Sequence, residues 1–430
     1  MIRHTFSILL LAAAAAVVPV RAAVTLGGAT ARPPLDYAVG ESIVFAFAPA
    51  EDGVPCGGRV IWTMERDGAP GVFSNGVSVV EPGGSAFVTA SLASPGFVSV
   101  SATLADDDGS PLRGAPVCRL AAGAGVADLR GADEPEDFDA FWARVRAEVD
   151  AADLSTAFAV PAPESVASRF PGFQVRAFRA PFPGQAAPAT GWVLWRTGAP
   201  QRSLPLEVRF EDYGVGGGEP PTDAGERDAL VVCVNAHGFD LGRDRAYYVD
   251  FMNRVSNGGN GGGYGFRNAE NDDPETCYFR GMVARDLLAL RFARSMPQWN
   301  GRTLRVSGAG QGGFQAVAVA ALDPAVTACR ADAPWLCDLA AADFARHGGW
   351  RPAFRPALRY FDAANLAARV TCTTTVFCPS SSDASPPSGV LLLYNRLAGP
   401  KHLLFVQNAR RLEPDGRIPP GVPTQLLESD

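Results

Sequence analysis

Six consecutive residues, Gly308-Ala309-Gly310-Gln311-Gly312-Gly313, carry the densest chemical signal in this chain. The apolar run Leu304-Arg305-Val306 before them reads as a buried strand, and Phe314 to Leu322 after them reads as a helix. A sharp turn between strand and helix, with glycines beside its apex because nothing larger fits, is where the pattern G-x-S-x-G holds a nucleophilic serine for acyl transfer. Here the apex is Gly310, which relaxes the turn and removes the attacking oxygen. The same letters satisfy G-x-G-x-x-G, and Asp332 ends the next apolar stretch where a ribose-binding acid would stand, so a nucleotide-binding turn at Gly308 to Gly313 is a rival reading. Such a fingerprint ordinarily opens a βαβ unit, whereas this one follows several strand and helix candidates.

Other chemistry has less to work with. With 4 histidines and no C-x-x-C, a zinc site is not expected, and no cofactor is implied. The 8 cysteines are an even number that export would allow to pair. Cys56 and Cys118 fall in one candidate domain and are open to bridging, while Cys233 lies in an apolar strand and reads as a buried thiol. A net charge of −7 without a basic cluster argues against nucleic acid or an acidic membrane surface as partner.

The elements that must position the turn fall into three parts. Met1-Ile-Arg-His, the apolar run Ile8 to Val18 and the small residues around Ala22 read as a signal peptide over 1–22, which predicts a secreted or periplasmic protein starting at Ala23. The apolar run is short for a bilayer span. Residues 23–122 alternate short β-rich runs, such as Ser42 to Phe47 and Phe97 to Ala102, with Gly, Pro, Asp and Ser, which predicts a small all-β sandwich serving as a spacer more than as a glycan binder. Ala121 to Val126 reads as a flexible joint. Residues 127–430 alternate longer helices with apolar strands at Leu230 to Asn235, Leu304 to Ser307, Val326 to Ala331, Val370 to Phe377 and Leu403 to Val406. This predicts an α/β domain with a mostly parallel, doubly wound sheet, helices on both faces, and a site beyond the strand C-termini. The tract Gly258 to Gly265 lacks the G-K-[ST] of a phosphate loop and reads as a mobile surface loop at a rim.

Several segments, in order, resemble the acetyl xylan esterase family, carbohydrate esterase family seven, which includes cephalosporin C deacetylases. They are Pro135 to Trp142, Ala236-His237-Gly238-Phe239, Asn300-Gly301-Arg302, Val306 to Gly313, Ala331 to Asp338, Asp383 to Pro387 and Tyr394 to Lys401. The resemblance covers about residues 127 to 406 and implies an α/β-hydrolase fold with a serine, aspartate and histidine triad. Asp383 matches the aspartate and Gly310 takes the serine position. The histidine due after the last strand falls on Gln407-Asn408-Ala409-Arg410-Arg411, which has none, so Arg410 and Arg411 mark its approximate place.

The resemblance also implies that the backbone N–H groups of Phe239 and Gln311 form the oxyanion hole. No other histidine replaces the missing one. His402 opens the strand whose far end carries the site, roughly 15 to 20 Å away at about 3.3 Å per residue. His347 sits in a helix-ending segment, and His237 has a structural role in the resemblance. Ser307 falls within the strand, and Ser380-Ser381-Ser382 reads as loop. What the resemblance implies is a catalytically inactive relative that binds an acetylated polysaccharide, oligosaccharide or other ester-like ligand. A deacetylase with an unconventional nucleophile, an interaction scaffold and a nucleotide binder remain alternatives.

Overall fold

The computed structural model describes residues 24–67, 71–182, 187–214, 220, 223, 225, 227–255, 265–346, 350–382, 384–409 and 424–429. The first part is built from β1 (Val24–Thr30), β2 (Ile43–Glu51), β3 (Val54–Pro55), β4 (Gly58–Arg66), β5 (Ser74–Val80), β6 (Ala86–Ala90), β7 (Gly96–Ala105) and β8 (Cys118–Ala124). One antiparallel sheet runs β1-β2-β3 with β6 also on β2; the other runs β5-β4-β7-β8. Period-two patterning makes the core between them: Ile43, Phe45 and Phe47 of β2 face Val98, Val100 and Leu104 of β7 in one buried cluster.

The stretch Ala121 to Val126 is no loose joint. β8 continues through Ala124, and Ala121, Ala122 and Ala124 are buried. Small side chains here allow close contact with the following domain. The Gln407 side-chain amide donates to Ala121 O at 2.6 Å and accepts from Ala121 N at 2.8 Å. Phe97 packs on Phe405 with ring centroids 5.9 Å apart. Ser388 N donates to Asp67 Oδ2 at 2.6 Å. All eight cysteines are free thiols, the suggested Cys56–Cys118 pair included; Cys118 is buried on β8 in one sheet, while Cys56 follows β3 at the edge of the other.

The second part comprises α1 (Phe138–Ala151), β9 (Phe158–Pro161), α2 (Glu164–Ala167), β10 (Phe173–Ala180), β11 (Ala189–Arg196), β12 (Leu204–Phe210), β13 (Leu230–Val234), α3 (Arg245–Val255), α4 (Tyr278–Ser295), β14 (Trp299–Ala309), α5 (Gln311–Leu322), β15 (Ala328–Asp332), α6 (Ala363–Ala367), β16 (Thr373–Pro379), α7 (Pro387–Arg396), β17 (Lys401–Val406) and β18 (Thr424–Ser429). They build a ten-stranded sheet in the order β18-β17-β16-β15-β14-β12-β13-β11-β10-β9. The run from β13 to β17 is parallel, and the outer strands pair antiparallel.

α4 and α5 cover one face of this sheet. α5 follows the glycine turn and is buried almost all round, its Phe314, Val317 and Val319 packing into the main core with Leu206, Val208 and Val306. α1 presents Phe138, Phe141, Trp142, Val145 and Val149 at helical spacing, and Trp142 Nε1 donates to Tyr360 O at 3.2 Å. On the other face a smaller core, with Val166, Phe170, Trp192 and Cys233, lies under β10, β11 and β13. Across β12, β14, β15 and β16 that face is polar, bearing Glu207, Arg209, Arg305, Arg330 and Thr375 at the alternate positions.

Candidate active site

The site lies at the C-terminal ends of β12 and β14, and sheet order decides its composition. β12 runs between β13 and β14, so the segment leaving β12, Glu211 to Gly214, is the one beside the glycine turn. At the turn Gly310 adopts φ 55 and ψ −119, a conformation essentially confined to glycine unless the surroundings enforce it. Its N–H donates to Asp332 O at 2.9 Å, and its carbonyl accepts from Trp335 N at 2.8 Å. The flanking glycines are needed for closeness: a Cβ on Gly308 would overlap the backbone of Gly312, and one on Gly312 would overlap the carbonyl of Phe210. The elbow has kept its shape while its apex has no side chain.

Asp212 fills the vacated place. A Cβ on Gly310 would stand 2.5 Å from Asp212 Oδ1 and 2.8 Å from its Cγ. That same Oδ1 accepts from Tyr213 N at 2.8 Å and from Gln311 N at 2.9 Å. Two backbone N–H groups converging on one oxygen at these distances, one of them opening a helix, make the geometry of an oxyanion hole. Here the chain's own carboxylate occupies it. Next to it, burial pushes the Glu211 carboxyl up to about 7.

The resemblance pairs the N–H groups of Gln311 and Phe239; in the structure the N–H that converges with that of Gln311, on Asp212 Oδ1, is that of Tyr213. Phe239 follows β13, one strand further from the elbow, and is fully buried. Its carbonyl accepts from Thr190 Oγ1 at 2.7 Å and from Asn235 Nδ2 at 3.1 Å, so it holds the turn after β13. Asp383, Arg410, Arg411, His347 and the tract Gly258 to Gly265 up to Tyr264 lie outside the described residues. Ser382 and Ala384, flanking Asp383, follow β16 at the same edge of the sheet.

The remaining candidates are accounted for by other contacts. His237 is buried, its Nδ1 is 2.6 Å from Tyr278 Oη, and burial together with the Arg285 charge pulls its imidazole down to about 3, which makes it a weak base. His402 sits at the start of β17, with Nδ1 3.4 Å from Glu428 Oε1. Ser307 is paired in register with Arg209 and Arg330 on the polar face. Ser380 and Ser381 pair their hydroxyls at 3.3 Å, and Ser382 Oγ accepts from Ser385 N at 3.1 Å. Asp332 is gripped by Arg330 Nε at 3.0 Å to each oxygen, and the α5 N-terminus is taken by Asp212, which leaves the nucleotide reading without its acid or its phosphate site.

Aromatic side chains border the elbow. Trp335, whose N–H holds the Gly310 carbonyl, stacks on Trp350 with centroids 5.0 Å apart; Phe266 lies 4.8 Å and Tyr213 5.3 Å from the Trp350 ring. Trp350 and Tyr213 remain 47% and 43% exposed, an apolar surface facing outward beside the carboxylate. Among the described residues no group of three or more His, Cys, Asp or Glu is placed to hold a metal ion.

A mostly parallel sheet in this strand order, with a glycine-flanked elbow into α5 and paired N–H donors at the strand ends, defines an α/β hydrolase. Within that class the chain belongs to the acetyl xylan esterase family, whose model matches residues 126–348. Acetyl esterase Axe7A of Xylanibacter ruminicola is 31% identical over 144 residues, covering 31% of this chain and 33% of that protein, so the chain spans about a third of the length of this curated relative. Among solved structures, acetyl xylan esterase from Paenibacillus sp. R4 shares 23% identity with TM-score 0.54 over 65% of this chain and 91% of its own. Acetyl xylan esterase 1 from Thermoanaerobacterium sp. JW/SL YS485 shares 21% identity with TM-score 0.53 over 65% and 89%. These two show the fold.

Proposed function

We propose that this protein is an exported, non-hydrolysing member of the acetyl xylan esterase family that binds acetylated xylan or a related acetylated glycan at the elbow. The observation that carries the reading is Asp212 Oδ1, which stands where a nucleophile at position 310 would project and uses both N–H groups, Tyr213 and Gln311, that would otherwise stabilise an acyl oxyanion. Loss of a triad serine or histidine costs on the order of a million-fold in turnover, and losing both costs little more. The exposed rings of Trp350 and Tyr213 support a saccharide role, since flat apolar faces stack against sugar C–H surfaces.

One observation favours a second reading. Asp212 is itself a carboxylate at the nucleophile's place, so an unconventional deacetylase would attack through it. The same two N–H groups cannot hold the attacking carboxylate and the developing oxyanion together, which favours binding without turnover. The test is acetate release from p-nitrophenyl acetate and acetylated xylan, alongside calorimetric titration with acetylated and deacetylated xylo-oligosaccharides. The expected result is no release above buffer and tighter binding of the acetylated form. Turnover that disappears in Asp212→Asn would establish the second reading instead.

A further inference from the structure

Behind the His237 ring, α3 and the start of α4 enclose a cavity of about 370 Å³ walled by His237, Phe251, Val255, Tyr278, Arg280 and Arg285. This volume lies in the range of small-molecule sites. Its charges do not balance. Arg254 on the rim pairs with Asp250 at 3.2 Å, and Arg280 pairs with Glu148 at 2.6 Å and Glu275 at 2.7 Å. Arg285 is 6% exposed, and no carboxylate stands within ion-pair distance of it among the described residues. Its Nη2 donates to Ala236 O at 2.9 Å, its guanidinium lies 5.7 Å from the Tyr278 ring centre, and its Nε meets no acceptor among the described residues.

Neighbouring groups do not neutralise this charge. Asp286, next along α4, accepts from Gln315 Nε2 at 2.8 Å and makes no ion pair with Arg285; burial pushes its carboxyl up to about 8, against the opposing pull of Gln315 and the Arg285 charge. His237 is uncharged at neutral pH. A buried guanidinium without a counter-charge is costly, and the cavity leaves room beside it for the missing anion. Arginine meets carboxylates and phosphates alike through paired N–H bonds, and a carboxylate, the smaller and singly charged of the two, matches one guanidinium left without a partner. The wall that carries Arg285 is also polar at Tyr278, whose hydroxyl lies 2.6 Å from His237 Nδ1, and at Thr276, whose hydroxyl donates to Glu270 O at 2.9 Å; a sugar hydroxyl can donate to the remaining lone pairs of both oxygens, while Phe251 and Val255 supply an apolar side.

We propose that this cavity is a binding site for a sugar acid, a hexuronate, whose carboxylate pairs with Arg285. The site adjoins the elbow through His237, whose ring meets that of Tyr213 edge-on at 6.2 Å, and its occupation does not depend on whether the elbow turns over ester.

The experiment is calorimetric titration of the full chain with glucuronate and, as the neutral counterpart of the same size, glucose. Glucuronate binds at least tenfold more tightly than glucose; Arg285→Met abolishes the difference, and Arg285→Lys keeps part of it. Because Arg285 also holds the Ala236 carbonyl, Thr276→Trp on the exposed rim provides an occluding variant that leaves the guanidinium in place, and it lowers glucuronate affinity by tenfold or more. Equal affinity for the two sugars, no binding of glucuronate at millimolar concentration, or unchanged glucuronate binding in folded Arg285→Met or Thr276→Trp overturns the proposal. Binding of acetylated xylo-oligosaccharide, measured in the same variants, reports separately on the elbow.

Discussion

Replacing Gly310 by serine tests whether Asp212 truly holds the nucleophile's place. The new Cβ would stand 2.5 Å from Asp212 Oδ1, so one of the two must move, and the residue at φ 55 is held by the Gly310–Asp332 and Gly310–Trp335 backbone bonds. Backbone strain for a non-glycine residue there costs about 1–3 kcal/mol. Driving Asp212 away forfeits its bonds to Tyr213 N and Gln311 N, about 1 kcal/mol each for an exposed carboxylate that water can solvate. Gly310→Ser therefore destabilises by about 3–5 kcal/mol and Asp212→Ala by about 2 kcal/mol. In the double variant the two bonds are lost only once, so it costs about 3–5 kcal/mol and the cycle shows a coupling of about 2 kcal/mol. Urea unfolding of the four proteins measures this. Additivity within about 0.5 kcal/mol would refute the placement of Asp212, because independent sites add. Neither serine variant releases acetate, since the segment Gln407 to Arg411 after the last parallel strand carries no histidine to take the hydroxyl proton.

Three further outcomes follow from named contacts. Glu211 and Asp286 are held up at about 7 and about 8 by burial, above their ordinary 4.5 and 3.8, so between these values the native chain keeps protons that the unfolded chain releases. Their stabilising contribution is whole at acidic pH and is lost as pH rises to about 8; urea midpoints measured across this window fall, and Glu211→Gln flattens the fall by about 2 kcal/mol. A pH-independent midpoint contradicts the burial of these carboxyls. Trp350→Ala weakens binding of acetylated xylo-oligosaccharide by about tenfold, as expected for a lost stacking face, with calorimetry as the readout; unchanged affinity places the glycan elsewhere. Gln407→Ala removes both amide bonds to Ala121, costs about 2–4 kcal/mol and exposes the segment after Ala124 to limited proteolysis, whereas wild-type resistance would show that the docking does not depend on it.

Local features of this fold were legible in the sequence and non-local ones were not. The elbow could be read because strand, turn and helix are contiguous, and the glycines at 308, 310 and 312 each answer to a nearby backbone requirement. Asp212 could not be placed, because its partner Gln311 is 99 residues away and their meeting depends on β12 entering the sheet between β13 and β14. The turn Ala236 to Phe239 has the letters of an oxyanion loop yet stands one strand too far. An acid followed by Tyr213-Gly214 directly after the alternating strand Leu204 to Phe210 was the available signal. The same alternation, with Glu207 and Arg209 between buried positions, also marks a stretch of the second face that no apolar helix covers among the described residues. Ala121 to Val126 shows the converse problem: composition rich in alanine and glycine describes both a loose linker and a close contact, and only the partner, Gln407, tells them apart.

The sandwich and the altered site are connected through the segment that leaves β17. In a working triad this segment carries a histidine that must reach the elbow, so its backbone has to be directed across the sheet edge. Here its first two residues are committed elsewhere. Gln407 is 1% exposed and grips both polar groups of Ala121, and Asn408, at φ 51, donates its N–H to Arg119 O at 2.9 Å while its side-chain Oδ1 accepts from Arg119 N at 2.9 Å. Phe405 and Phe97 extend the same contact into the core. The residues that lead out of the last parallel strand are thus hydrogen-bonded to β8 of the sandwich, mostly through their side chains, and fixed by the neighbouring domain. A histidine introduced after Asn408 would begin from a backbone held by β8, so restoring a base to this chain requires releasing the Gln407 and Asn408 contacts as well as changing a side chain.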